Sequence, residues 1–204
     1  RQDGMHPIMF MQCGDIAYES KKEIKKIHTL KTVTSTFEAL SDDFSLILNE
    51  MVEDFDRNNL IISEIEKLKD RNILVLSERI EHLNILYHLL DAKKIKSTLI
   101  HGGLKSKMKK EFLKEANSSS IILSTSSFIG EGIDFSHLDA IVLTMPVSYW
   151  GRIVQYLGRI GRDGQECIAV DFYDENTPML RSSFQKRQKG YKKMGYISLN
   201  EKGL

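Results

Sequence analysis

Asn72-Ile73-Leu74-Val75-Leu76-Ser77 is a short apolar run ending on a hydroxyl, and Glu78–Ala92 follows it directly. Successive branched apolar residues without alternation fit a strand covered on both faces. In the following segment Ile80, Leu83, Leu86 and Leu90 recur at helical spacing and define one buried face. A strand buried on both sides and followed at once by an amphipathic helix is the first half of a β-α-β unit. The same beat continues downstream. Ser97–Ile100 is a strand, Lys105–Ala116 a basic helix, Ser120–Ser124 and Ala140–Leu143 strands, Tyr149–Gly158 a helix and Glu166–Phe172 a last strand. This alternation predicts an α/β chain with a parallel sheet and helices on both faces.

Outward from that core the signals are simpler. Leu30–Phe37 alternates and carries Val and Thr, so it reads as a further strand. Residues 5–12 form an apolar run broken by Pro7, and residues 15–30 are polar and Lys-rich. Ser41, Asp42 and Asp43 offer an N-cap to a helix marked by Phe44, Leu48, Met51 and Phe55. Asn58-Asn59 reads as an interruption, after which Ile62, Ile65 and Leu68 resume the pattern. A closing helix spans 178–195, with Pro178 in its first turn and Leu180, Phe184, Tyr191 and Met194 facing the body. Arg181, Lys186, Arg187, Lys189, Lys192 and Lys193 make its remaining surface basic. Residues 1–40 thus read as an entry segment, 41–177 as the domain, and 178–204 as a basic C-terminal helix packed on it.

The chain has 204 residues, 41% hydrophobic and 28% charged, which is ordinary soluble usage with room for a sizeable core. A formal net charge of +1 argues against a dedicated nucleic-acid module, so such contacts must come from local patches. The two cysteines, Cys13 and Cys167, have no metal or redox spacing and read as small buried hydrophobes. Their sparsity fits a reducing, cytoplasmic setting. No apolar run reaches membrane-span length, and the start is not a signal peptide. The absent initiator Met suggests a piece of a longer protein. No internal repeat or low-complexity tract occurs.

Ligands of open parallel sheets gather at the carboxyl ends of the strands, where three segments stand out. His101-Gly102-Gly103 follows one strand. Ser124–Asp134 follows another, opening with four hydroxyls and containing Gly130, Gly132 and Asp134. Hydroxyls and free backbone N–H groups can hold a phosphate, and a carboxylate can accept from ribose hydroxyls. A plain Ser-rich turn capped by Asp134 accounts for the same residues. Thr144–Tyr149 leads into Gln155-Tyr156-Leu157-Gly158-Arg159-Ile160-Gly161-Arg162. On a helix Gln155, Arg159 and Arg162 share one polar stripe, while Ile153, Leu157 and Ile160 share a buried one. Two guanidiniums one turn apart beside bare glycines suit a polyphosphate. An ordinary amphipathic surface helix would look the same in isolation. His101 is either a turn residue or a base, and Tyr149 and Trp150 either pack or stack.

Taken in order, these segments resemble the second motor lobe of superfamily 2 helicases, and more narrowly the restriction-type DEAD/DEAH-box branch. Leu74–Arg79 resembles motif IV, Ile122–Asp134 motif V and Gln155–Arg162 motif VI. Gly4–Gly14 resembles the segment that leaves the first lobe. The resemblance implies a three-layer RecA-like fold that closes over ATP and Mg²⁺ held mainly by the first lobe. It makes Arg159 and Arg162 arginine fingers, with Gln155 coupling nucleotide to closure and Gly132 and Asp134 touching the nucleotide. It gives Ser77, His101, Gly102, Thr125 and Ser126 to the nucleic-acid backbone. It assigns no metal ligand to this chain. The implied partners are nucleic acid, DNA before RNA, and the first lobe of the same polypeptide, with no membrane.

Tyr156 departs from the family pattern where many relatives carry Arg, and Glu131 likewise. The chain has no Gly-x-x-x-x-Gly-Lys-Ser/Thr and no Asp-Glu-x-His/Asp box. The first holds phosphates and the second Mg²⁺ and the attacking water, so the chain alone should be inactive. The leading expectation is an ATP-dependent helicase represented by its second lobe. The alternative is a non-catalytic RecA-like module that binds nucleic acid or protein. A doubly wound enzyme of another kind is disfavoured by the missing Gly-x-Gly-x-x-Gly fingerprint.

Overall fold

The computed structural model describes residues 28–104, 115–116, 118–130, 137–147, 157 and 166–199. Seven strands form one sheet: β1 His28–Ser35, β2 Ile73–Ser77, β3 Thr98–Ile100, β4 Ile121–Thr125, β5 Ala140–Leu143, β6 Cys167–Asp174 and β7 Tyr196–Ser198. Their order is β3-β4-β2-β5-β6-β1-β7, and every pairing is parallel. Five helices lie wholly within the described residues: α1 Phe44–Glu53, α2 Phe55–Lys67, α3 Ile80–Ala92, α4 Ser126–Gly130 and α5 Pro178–Lys193.

Period-two alternation sorts the strand residues into two cores. Ile73 and Val75, Ile121 and Leu123, Ala140 and Val142, with Val170 and Phe172, pack against Ile61, Ile62 and Ile65 of α2 and Leu83, Leu86 and Leu90 of α3. Leu74 and Leu76, Ile122, Ile141 and Leu143, and Ala169 face the other side, with Phe128, Ile129, Leu157 and Tyr191. A third cluster of Phe37, Ile47, Leu48, Met51, Val52, Met145 and Leu180 caps the sheet near the carboxyl ends of β1 and β5. Helices on both faces of a wholly parallel sheet are what the strand–helix beat predicts.

Three local readings need correction. The break between α1 and α2 falls at Asp54, not at Asn58-Asn59. Asp54 is extended (φ −69°, ψ 110°) and its carboxylate accepts from the Arg57 N–H at 2.6 Å, making it the N-cap of α2. Asn58 lies inside that helix, and Phe55 is 69% exposed instead of facing the core. Arg187 does not contribute to a basic surface: it is buried and forks onto Asp171, Nε to Oδ2 at 2.7 Å and Nη2 to Oδ1 at 3.1 Å. Tyr191 also donates to Asp171, at 3.0 Å. The closing helix ends at Lys193, short of residue 195. Gly195 takes φ +74°, a left-handed value suited to glycine, and turns the chain into β7 beside β1.

Candidate functional site

The carboxyl ends of β3, β4, β2 and β5 stand side by side, as the strand order requires. Ser77 is in register with Thr125, and Ile100 with Ser124. The topology therefore brings His101, Thr125, Ser126 and Ser77 to one edge. Thr144, first past β5, completes the row, its N–H donating to Leu76 O at 3.0 Å and its hydroxyl to the same carbonyl at 2.8 Å. Ser77, Glu78, Ser126, Leu143, Met145 and Val147 line a small cleft there.

The side chains differ in how they meet that edge. Ser77 is only 1% exposed. Its Oγ accepts from the Arg79 N–H at 3.1 Å and lies 3.1 Å from Nδ1 of His82. Thr125 and Ser126 are largely buried, and Ser127 is the exposed member of the hydroxyl run. His101 is half-buried, and its Nδ1 accepts from the Gly103 N–H at 3.2 Å. That bond puts the neutral ring's proton on Nε2, where it can donate outward. A Cβ on Gly102 would meet nothing within 4 Å, so its backbone is open to approach.

His82 sits beneath this row. Asn58 Nδ2 donates to Val52 O at 2.9 Å, which leaves Asn58 Oδ1 to accept from His82 Nε2 at 2.8 Å. Nδ1 is then the acceptor for the Ser77 hydroxyl. Burial, reinforced by the Arg57 charge, pushes the His82 pKa down to about 3, so the ring is neutral at physiological pH. Arg57 is also buried. Its Nε donates to Asp174 Oδ1 at 2.8 Å, Nη2 to Oδ2 at 3.2 Å and Nη1 to Thr144 O at 2.8 Å. Burial pushes the Asp174 carboxyl up, but the Arg57 guanidinium, helped by the Ser35 hydroxyl and the Arg187 charge, more than offsets this and holds it below the ordinary carboxylate range.

Arg79 closes the stretch that resembles motif IV, but sequence reasoning gave it no role of its own. It is the N-cap of α3 without a side-chain cap bond, and its Nε is buried with no acceptor among the described residues. A donor of that strength at the end of β2 suits an anionic ligand. Its place two residues past Ser77 was the available signal. Arg159, Arg162, Gln155, Gly132 and Asp134 lie outside the described residues, as do Lys105–Lys110. Among the described residues no group of three or more His, Cys, Asp or Glu could hold a metal.

Residues 56–164 match the family described as helicase conserved C-terminal domain. The chain belongs to that family. This helicase C-terminal domain is 39% identical over 88 residues to QP509L of African swine fever virus, a protein named as a putative ATP-dependent RNA helicase; the match covers 41% of the chain and 17% of the relative. A protein of Invertebrate iridescent virus 6 named as putative helicase 161L is 37% identical over 83 residues, covering 40% of the chain and 18% of that protein. The chain therefore spans under a fifth of the length of the curated relatives it matches. Among solved structures, T4 UvsW superposes with TM-score 0.65 at 18% identity, covering 85% of the chain and 40% of UvsW. S. cerevisiae Dbp5 bound to RNA and ADP BeF3 gives 0.62 at 17%, covering 84% and 40%. The Dbp5 C-terminal domain alone gives 0.62 at 16%, covering 86% and 89%. The helicase C-terminal domain thus has a RecA-like fold.

Proposed function

We propose that the chain is the second motor lobe of an ATP-dependent RNA helicase or translocase. The observation that carries this reading is the family match, which covers the strand–helix core and runs through Gln155–Arg162. Arg159 and Arg162 serve as arginine fingers, Gln155 couples nucleotide to closure, and Gly132 and Asp134 contact the nucleotide. Guanidiniums fit this role because phosphoryl transfer spreads charge over γ-phosphate oxygens that a planar donor fork can meet. ATP and Mg²⁺ are held mainly by a first lobe, since the donor set for the phosphates and the metal is missing from this sequence. His101, Gly102, Thr125 and Ser126 contribute to the nucleic-acid track, with Arg79 as its strongest donor and Ser77 shaping the turn that presents it.

RNA takes precedence over DNA in this reading. The relative at 39% identity is named as an RNA helicase, and nothing favours the DNA preference expected from sequence. Among the described residues no helix is long and apolar enough to cross a membrane; a reducing, cytoplasmic setting belongs to the same proposal. The domain reading is part of it too: residues 41–177 are the lobe, 1–40 lead in from the first lobe, and 178–204 close it.

The test is ATPase activity of the intact polypeptide with single-stranded RNA or DNA of matched sequence. Turnover stimulated by RNA more than by DNA is expected, while the isolated 204 residues remain at background. Mg²⁺-dependent turnover by those residues alone would sink the two-lobe account. An intact protein with no turnover under either nucleic acid would favour the non-catalytic binding module.

A further inference from the structure

Arg57 and Asn58 are consecutive residues of α2, and both side chains are spent on strand ends. Arg57 joins the end of β6, through Asp174, to the carbonyl of Thr144, where the chain leaves β5. Ser35 at the end of β1 donates to the same carboxylate, and the guanidinium lies over the Phe172 ring, 5.5 Å from its centroid. Asn58 holds His82 Nε2, and His82 in turn engages Ser77, the last residue of β2. One turn of one helix is thereby tied to the ends of four strands.

Stability alone does not call for this arrangement. Desolvation offsets most of the attraction within a buried ion pair, so an apolar pair of similar volume would hold the core as well. An apolar pair could not grip Thr144 O. From that carbonyl the chain runs through Val147, which shares a core cluster with Leu143 and Leu157, into Gln155–Arg162. On the other arm, the Ser77 hydroxyl held by His82 accepts the N–H of Arg79.

We infer that Arg57 and Asn58 are positioning residues: from α2 they fix the exit of β5, from which the chain continues to Gln155–Arg162, and the β2 turn that carries Arg79. This inference rests on the second-lobe reading. It also absorbs Asn58, whose sequence suggested only a helix break. Misplacing a catalytic group by about 1 Å can lower a rate on the order of 10²-fold, so loosening Thr144 O should act on turnover.

The experiment uses the intact polypeptide and compares wild type, Arg57→Met with Asp174→Leu, Arg57→Lys, Asn58→Leu and Arg162→Ala. Steady-state ATPase at saturating RNA is read beside a denaturation curve for each. The double variant removes both buried charges together and should keep the fold. Its kcat is expected to fall at least about tenfold, on the scale set by misplacement, with KM for ATP little changed. Arg57→Lys should fall less, because one ammonium can replace only part of a three-bonded fork. Asn58→Leu should weaken RNA binding more than kcat. If Arg162→Ala abolishes turnover while the folded double variant and Arg57→Lys both match wild type, the positioning role is wrong and the second-lobe reading stands. If the double variant unfolds, wild-type turnover by Arg57→Lys alone overturns the role. If Arg162→Ala is itself active, both fall.

Discussion

Folding stability should drop as the pH falls from about 6.5 toward 4, and His82 should be the main cause. The ring is fully buried, and its pKa is pushed down from 6.5 to about 3 by burial and by the Arg57 charge. In the unfolded chain the same ring takes a proton near its ordinary pKa. Between those values the unfolded state binds more protons than the folded one, so stability rises with pH across the window. The contribution is fully present above 6.5 and is lost as the pH falls toward 3. A tenfold change in proton affinity is worth about 1.4 kcal/mol. A single such group therefore removes roughly 1 kcal/mol per pH unit through the middle of the window, and about 2–3 kcal/mol between pH 6.5 and 4. Asp174, held below the ordinary carboxylate range, adds a further loss only below about pH 4. The assay is urea denaturation of the chain at half-unit pH steps, with the slope on denaturant checked for constancy. His82→Gln should be less stable at pH 8, because Asn58 and Ser77 lose a well-placed partner, and should show a flatter profile from 6.5 to 4. An equal slope in wild type and variant, or a flat wild-type profile, would refute the buried neutral histidine.

Other expectations follow from single contacts. Asp43 accepts from the N–H groups of Ser45 and Leu46 at 2.9 and 3.1 Å, so Asp43→Ala should lower unfolding free energy by about 1 kcal/mol, measured by denaturant titration. Asp171→Ala would leave Arg187 buried without its counter-charge and should remove about 3–5 kcal/mol, whereas Lys189→Ala on α5 should change stability by under about 0.5 kcal/mol. Arg181, Lys186, Lys189, Lys192 and Lys193, none of them buried, suit electrostatic contact with phosphates. Affinity of the lobe for single-stranded RNA should therefore fall with salt, and neutralising one contacting lysine should reduce the log-log slope by roughly one. Affinity that is constant across a tenfold salt series would exclude that contact.

The centre of the parallel sheet was legible because β2, β4 and β5 are short, mainly apolar runs that end where polar residues begin. Ala140–Leu143 is apolar throughout, and Asn72–Ser77 ends on the hydroxyl that closes β2. What failed to show were side chains whose roles come from distant partners. Asn58 carries poor helix propensity, yet it remains helical because Val52 O and His82 satisfy its amide. Arg187 sits in a basic run, and only the fold reveals Asp171 behind it, 16 residues earlier in sequence. β7 is three residues long and has no usable period; it forms because Gly195 turns the chain toward β1. At the edge, Ser77, Thr125, Ser126 and His101 come side by side because strand order alone sets their neighbours. The inward commitment of the Ser77 hydroxyl and the buried Arg79 Nε depend on side-chain geometry that spacing does not encode.

The central claim is that Gln155–Arg162 supplies the fingers of a two-lobe ATPase. The most direct measurement is the turnover of Arg162→Ala in the intact polypeptide, at saturating ATP and RNA, beside its melting curve. Arginine fingers typically contribute roughly 10³–10⁵ in rate. The variant should therefore lose turnover on that scale while ATP affinity and melting temperature change little, and Arg162→Lys should rescue poorly because an ammonium lacks the planar fork. Near-normal turnover by Arg162→Ala, or a loss that tracks unfolding, would contradict the account and leave Gln155–Arg162 as a packing element.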